Sequence, residues 1–359
     1  MRALCLYAGP RARAQIERQG LQAADVAALA GAAGGPKGLI LGALDRFIFG
    51  HWLTQSSQTV HLVGASIGAW RMATACLDDP VTAFLRLEHD YIRQHYELQP
   101  GEKRPSAATV SRLFGENLRA FYDGRIGEVL EHPRFRLHVV TAHGRHLLAR
   151  EQRGRTALGF LGAWLSNLVQ RRALGAWLER VVFSTPGAAL PFDSSDYPTH
   201  QFELNLTNFS AAVQASCSIP FVLEAVHDIP GAPTGAYWDG GLTDYHLHLN
   251  YAASAASQGL VLYPHFQKAV VPGWLDKHLK WRHGSSAFLD NMLLLAPNPD
   301  WVKTLPNGKL PDRTDFVHYG QDLASRVRDW SAATAASVQM VDEFEQWLRQ
   351  PDVKLVQAL

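Results

Sequence analysis

The sequence predicts an α/β protein, a mainly parallel sheet covered by helices, and three observations carry that expectation. Short apolar, β-branched runs alternate with stretches of helical period along most of the chain, the pattern of strands joined by crossover helices. Two units of strand, glycine turn and helix follow one another before Pro80. A chain of 359 residues, 47% hydrophobic and 19% charged, also holds enough apolar surface for a large core.

Val26 to Ala33 reads as a strand of small apolar residues that ends in Gly34-Gly35-Pro36. Leu39, Ile40, Ala43, Leu44, Phe47 and Ile48 then recur at helical spacing, with Pro36 at the opening, where its missing N–H costs nothing. Thr59 to Val63 is a second strand, followed by Gly64-Ala65-Ser66-Ile67-Gly68 and a helix over Ala69 to Leu77 that Asp78-Asp79-Pro80 stops. Leu137 to Thr141, Val181 to Ser184, Gln201 to Leu206 and Gly259 to Tyr263 are further strands. Residues 98–106 and 296–313 read as loops, and Asp322 to Leu348 reads as a terminal helical region. One elaborated domain is expected, with no internal repeat.

Composition narrows the partners. Thirty-four Lys and Arg against 33 Asp and Glu create no global field, so no nucleic-acid partner is expected. Cys5, Cys76 and Cys217 are odd in number and widely spaced, which fits a reducing compartment and a cytoplasmic location. Met1 to Ala8 is too brief for a secretory apolar segment, and no run reaches the roughly 18 to 20 apolar residues of a spanning helix. Membrane contact, if any, is expected to be peripheral.

Three segments carry chemistry. Gly64-Ala65-Ser66-Ile67-Gly68 fits GxSxG, in which Gly64 and Gly68 permit the sharp turn from strand to helix that holds a serine hydroxyl exposed at the helix N-terminus. Ser66 is the candidate nucleophile; a plain Gly/Ser turn is the bland alternative. Gly34, Gly35, Lys37 and Gly38 form a glycine turn whose backbone N–H groups suit an oxyanion. The order of these residues fits neither GxxxxGK[ST] nor GxGxxG, which disfavours nucleotide binding, and an ordinary βα turn is the structural reading. Asp239, followed by Gly240 and Gly241 after an aromatic strand-like run, is an acid placed for close approach, able to take the serine proton without an imidazole relay. As a lone feature, such a turn is more often a simple hairpin.

Together these segments resemble the patatin-like phospholipases, through the ordered set Gly34-Gly35-Pro36-Lys37-Gly38, Gly64 to Gly68 and Asp239-Gly240-Gly241. Ala215-Ser216-Cys217-Ser218-Ile219-Pro220 is similar to the family's Ala-Ser-x-x-x-Pro segment upstream of the acid. Ala33 departs from the family, which usually begins its loop with a third glycine there. The resemblance covers about residues 25–245 and implies a three-layer α/β/α fold, a Ser66-Asp239 dyad hydrolysing acyl esters of lipids, an oxyanion loop at Gly34, Gly35, Lys37 and Gly38, and no cofactor. On this basis residues 25–265 form the catalytic domain, 1–24 an N-terminal extension and 266–359 a C-terminal helical extension packed on it.

Alternatives stay open: a thioesterase or acyltransferase with the same dyad, a silent lipid binder, and a Ser-Asp-His triad using His265, 26 residues beyond Asp239. Only 65 residues precede Ser66, which argues against the triad fold, where several strands normally come first. His246 and His248, read as sharing one strand face, are weak metal candidates without a third ligand. Phe160, Leu161, Trp164, Leu165 and Leu168 share a helical face that suits a lid, an interfacial helix or an ordinary buried stripe. Residues 272–284 mix Trp274, Leu275, Leu279 and Trp281 with Lys277, Lys280 and Arg282, a mixture suited to anionic headgroups or to a solvated surface helix.

Overall fold

A computed structural model describes residues 1–97, 104–254 and 259–359 of the chain. It opens with strand β1 (Leu4–Ala8) and helix α1 (Pro10–Gln19), then lays down β2 (Val26–Gly31), α2 (Gly42–Phe47), β3 (Val60–Ala65), α3 (Ile67–Ala75) and α4 (Pro80–Arg93). Helix α5 (Ala107–Tyr122) and the short α6 (Ile126–Leu130) lead to β4 (Phe135–Gly144), α7 (Arg155–Val169), β5 (Leu178–Ser184) and β6 (Thr199–Glu203). Next come α8 (Phe209–Ser216), β7 (Val226–His227), β8 (Ala236–Asp239), α9 (Gly241–Asp244), β9 (Leu260–Pro264) and β10 (Met292–Pro297). Helices α10 (Pro299–Val302), α11 (Asp315–His318), α12 (Leu323–Ala336) and α13 (Val338–Arg349) and strand β11 (Val356–Ala358) finish the chain.

The strands form one sheet in the order β11-β1-β10-β9-β2-β3-β4-β5-β6, with β8 pairing β4 and β7 pairing β8. Its centre, β10-β9-β2-β3-β4, is parallel throughout, as the βαβ alternation requires, and helices cover it to give a three-layer α/β/α architecture. Every residue of β2 is buried, which explains why that strand is a continuous run of small apolar residues rather than an alternating one. Small size also lets α3 approach: a Cβ on Gly68 would lie 1.8 Å from the Gly31 carbonyl oxygen, so only glycine permits this crossing.

The termini are woven into the sheet. β1 lies antiparallel to β10 and parallel to β11, and the Glu343 carboxylate of α13 accepts the backbone N–H groups of Ala3 and Leu4. Strands β1, β7, β10 and β11 have no counterpart in the sequence expectation. β10 escapes notice because its end, Ala296-Pro297, runs into Asn298-Pro299, punctuation that makes 296–313 read as loop. Of the other expected loop, residues 98–103 lie outside the described residues. The helix expected after Gly35 is present in three parts: a 3-10 stretch over Gly35–Leu41, then α2, then a π turn over Ile48–Trp52.

Candidate functional site

Two strands meet end to end on β4. β5 occupies one edge of β4, so β3 and β8 share the other, β3 parallel with Ala65 opposite Val140 and β8 antiparallel with Asp239 opposite Thr141. They run toward each other, and their C-terminal ends abut at Val140-Thr141. Ser66 follows the end of one and Asp239 ends the other, so residues 173 positions apart face each other at a distance set by the sheet.

Ser66 has φ +56° and ψ −130°, a conformation that L residues rarely adopt and that aims its side chain out of the turn. Its hydroxyl donates to Asp239 Oδ2 at 2.7 Å, and its backbone N–H donates to Ser216 Oγ at 2.9 Å. Ser216 Oγ in turn donates to the Val140 carbonyl at 2.6 Å, while its own carbonyl accepts the Gly240 N–H at 3.2 Å. The Ser218 carbonyl accepts the Asp239 N–H at 2.9 Å. The Ala215 to Pro220 segment thus ties elbow and acid turn to one support. A Cβ on Gly64 would fall 2.4 Å from Ala69 Cα, so the turn excludes any larger residue there.

Asp239 Oδ1 accepts the Gly241 N–H at 2.7 Å, which leaves Oδ2 to the serine. A Cβ on Gly240 would lie 2.0 Å from the Val140 carbonyl oxygen, and one on Gly241 would lie 2.7 Å from Ala33 Cβ, so both glycines are demanded by close approach. Burial holds the Asp239 carboxyl above its ordinary value, against the opposing pull of the Ser66 hydrogen bond, Arg313, the Gly241 amide and Lys277. It is a stronger base than a free carboxylate. The dyad is covered, with Ser66 3% and Asp239 5% exposed.

Gly31 stands opposite Gly64 in the β2–β3 pair, which carries the loop after β2 alongside the elbow. Gly34 and Gly35 open the 3-10 helix, where N–H groups have no intrahelical partner and are free for an anion. Gly35 has φ +58°, and a Cβ on Gly34 would lie 2.4 Å from the Phe266 ring. Ala33 does not join them, because its N–H is taken by the Tyr245 carbonyl at 3.0 Å. Gly38 packs on Ile67, tying the loop to α3. Lys37 is half-buried with Nζ 5.4 Å from the Phe266 ring centre, and burial holds its ammonium below the usual value.

Among the described residues no hydrogen bond joins a histidine to Ser66 or Asp239. His265 is buried with Nδ1 bound to the Gln267 carbonyl and its ring stacked 4.3 Å from that of Phe266, and burial pushes it down to about 3. The direct contact between Ser66 and Asp239 leaves no place for an imidazole between them. His246 and His248 do not share a strand face: the segment is irregular, with Leu247 at φ +49°, so the period-two alternation fails. His246 instead bonds Ala269 and Val271, and His248 bonds Ser286.

Two expected lipid-facing segments divide differently from the expectation. In α7 the buried face is Thr156, Gly159, Phe160, Ala163 and Asn167, whereas Leu161, Trp164 and Leu165 are exposed together with Leu158 and Val169. Within 272–284, Lys277 turns inward over the Tyr245 ring at 4.1 Å, and Arg282 is held by the Asp276 carboxylate. Trp281 remains exposed. Lys277 and Arg313 act electrostatically on the Asp239 carboxylate, and Arg313 packs on Gly35, from segments that sequence reasoning assigned to a surface and to a loop. Among the described residues no helix is long and apolar enough to cross a membrane. Neither the family models nor the curated proteins compared with this chain match it.

Proposed function

We propose that the chain is a serine hydrolase that cleaves acyl esters of lipids. The observation that carries this reading is the 2.7 Å hydrogen bond from Ser66 Oγ to Asp239 Oδ2, made by a serine held at positive φ on a strand-to-helix turn. Ser66 Oγ attacks the ester carbonyl carbon as its proton passes to Asp239. The oxyanion forms against the N–H groups of Gly34 and Gly35 at the mouth of the 3-10 helix. Asp239 then returns the proton to the leaving alcohol, which departs and leaves Ser66 acylated. Water, deprotonated by Asp239, attacks the acyl carbonyl and releases the fatty acid, and Ser66 recovers its proton.

A lipid substrate is supported by the exposed apolar face of α7, Leu158, Leu161, Trp164, Leu165 and Val169, with Phe221 and Val222 also exposed and the Phe221 ring edge-to-face with that of Phe160 at 5.7 Å. Such a stripe suits peripheral contact with an acyl-chain surface. The three free cysteines fit work in a reducing compartment such as the cytoplasm. The test is labelling with a fluorophosphonate and mapping of the adduct, together with hydrolysis of a panel of lipid esters. An adduct on Ser66 and turnover that Ser66→Ala abolishes are expected. Unlabelled Ser66 and a Ser66→Ala protein as active as the parent would remove the reading.

A further inference from the structure

The acid turn runs straight into α9, a helix of 4 residues, too short to be held by its own backbone bonds. Its first residue nevertheless orients the base. The Gly241 N–H binds Asp239 Oδ1, which leaves Oδ2 facing Ser66. At the far end of a helix the last carbonyls have no intrahelical partner, and here Arg171 Nη2 donates to the Thr243 carbonyl at 2.5 Å. Asp244, the last residue of α9, is gripped by Arg180 of β5, Nε to Oδ2 and Nη2 to Oδ1, both 2.7 Å. Against burial, which raises it, Arg180 and then Arg171 hold the Asp244 carboxyl below its ordinary value.

Arg171 opens the 3-10 helix Arg171–Ala176 that follows α7. Its guanidinium bridges two buried carboxylates, Nη1 to Asp276 Oδ2 and Nη2 to Asp244 Oδ1, each at 3.4 Å. Asp276 is fixed in turn: Oδ1 accepts Asn167 Nδ2 of α7 at 2.8 Å and Arg282 Nη1 at 2.9 Å, and Oδ2 accepts the Gly273 N–H at 3.0 Å. A Cβ on Gly273 would lie 2.8 Å from Arg171 Nη1 and 3.0 Å from the Leu242 carbonyl oxygen, so this segment closes tightly over the guanidinium. Arg171 is thus held by Asp276 on one side and reaches α9 on the other. Arg282 shares the Asp276 carboxylate, but its other bond goes to the Leu168 carbonyl, and among the described residues it makes no hydrogen bond to α9.

We propose that Arg171 is a positioning residue for the base: by holding the Thr243 carbonyl it sets the orientation of α9, and through the Gly241 amide it sets which oxygen of Asp239 meets Ser66. Its effect on turnover rests on the hydrolase reading, whereas the tie between Arg171 and α9 does not. Arg180 grips only the Asp244 side chain, which fixes where the helix ends. Arg171 grips the backbone, which fixes how the helix is turned. One planar fork serves the Thr243 carbonyl and Asp276 together, a geometry that a guanidinium supplies and a single ammonium does not. Loss of the fork frees α9 to rotate, and the Asp239 carboxylate, bound to its first amide, rotates with it.

Arg171→Gln, Arg171→Lys and Arg282→Gln, each first shown to be folded by circular dichroism, are compared on nitrophenyl butyrate, a soluble neutral ester. Arg171→Gln lowers kcat by about tenfold to a hundredfold and leaves KM within about twofold, because the base is turned and no substrate contact is lost. Lysine, one donor in place of the fork, recovers at least about threefold of that loss. Arg282→Gln removes an ion pair from the same carboxylate and keeps kcat within about threefold. A loss of kcat in Arg171→Gln no larger than that in Arg282→Gln reduces Arg171 to a packing role and overturns the proposal. Should Arg171→Gln not fold, Arg171→Lys is held to the same comparison. Hydrogen exchange read by mass spectrometry over residues 239–247 tests the tie without turnover: exchange quickens by about tenfold or more in Arg171→Gln and stays at the parental rate in Arg282→Gln. Exchange unchanged in Arg171→Gln, or raised equally in both variants, rejects the tie. Faster exchange confined to Arg171→Gln, in a protein whose parent hydrolyses no ester, upholds the tie and removes only the hydrolase reading.

Discussion

The Ser216 hydroxyl accepts the backbone N–H of Ser66 and donates its own hydrogen bond to the Val140 carbonyl, which makes one side chain the link between elbow and β4. All three residues are buried, so removing the hydroxyl strands a donor and an acceptor together. Ser216→Ala is expected to lower stability by about 1–3 kcal/mol, the usual cost of orphaned buried polar groups. It is also expected to reduce kcat more than it raises KM, because the loss loosens the nucleophile rather than a substrate contact. Denaturant unfolding and steady-state kinetics check both parts, and a Ser216→Ala protein with parental kcat would show that the strained turn needs no such support.

Asp239 carries opposite consequences for activity and for stability. Its folded-state carboxyl sits above the ordinary value, so the proton is held more tightly in the folded than in the unfolded chain. The stability linked to that proton is present at low pH and lost as pH rises through the folded value, so at neutral pH the buried charge is a burden. Asp239→Asn is therefore expected to be inactive yet at least as stable as the parent in thermal unfolding near pH 7. A clear loss of stability in this variant would mean that the carboxylate holds the fold together.

The same shift sets the acid side of the rate profile. A base works above its pKa, so kcat/KM falls as pH drops through the value for Asp239, which lies above that of a free aspartate. Arg313 and Lys277 pull it down. Arg313→Gln thus moves the acid limb further up in pH, measured on a neutral ester so that binding of an anion does not contribute. An acid limb that stays where it was, or that moves down, would contradict the placement of Arg313 in the field of the base.

Arg71 and Asp45 join α3 to α2 by a bidentate pair, Nε to Oδ2 and Nη2 to Oδ1, both 2.7 Å, with both side chains buried. Asp45→Ala leaves a guanidinium that cannot shed its proton in the core. A loss of roughly 3–5 kcal/mol is expected from denaturant unfolding. Because α2 follows the glycine loop and α3 follows the elbow, surviving protein should also react more slowly with a fluorophosphonate.

How much of this was legible beforehand differs by residue. Ser66, Asp239 and the Gly34-Gly35 loop announce themselves because each needs glycines at fixed offsets, and the clashes that a Cβ would meet at Gly34, Gly64, Gly68, Gly240 and Gly241 show why. The β2 and β3 strands read well because both are buried runs bounded by turns. β1 and β11 did not, since short strands near the termini leave little pattern, and their place in the sheet comes from pairing between residues hundreds of positions apart. Lys277 and Arg313 were illegible for the same reason: nothing local to 277 or 313 says that the sheet and its connections bring them to Asp239. Residue type alone suggested that Lys277 meets solvent, and only the position of Tyr245 turns it inward.

The last expectation separates dyad from triad. If Asp239 is the only base, its loss resembles loss of the nucleophile, several orders of magnitude in kcat, as removal of a catalytic base in serine hydrolases generally costs. His265 has no such part. Its Nδ1 is engaged by the Gln267 carbonyl, its ring is packed between His246 and Phe266, and burial keeps it neutral down to about 3, so at working pH it carries no proton to give as a cation. His265→Gln, which keeps a polar side chain for Gln267, is expected to lose some stability through poorer packing while kcat/KM on a neutral ester stays within about tenfold, a barrier change of no more than roughly 1.4 kcal/mol. Comparing Asp239→Asn, His265→Gln and Ser66→Ala on one substrate, each first checked for folding by circular dichroism, decides the matter. A folded His265→Gln protein as inactive as the serine variant would require an imidazole in the proton path, which the direct hydrogen bond between Ser66 and Asp239 has no room for.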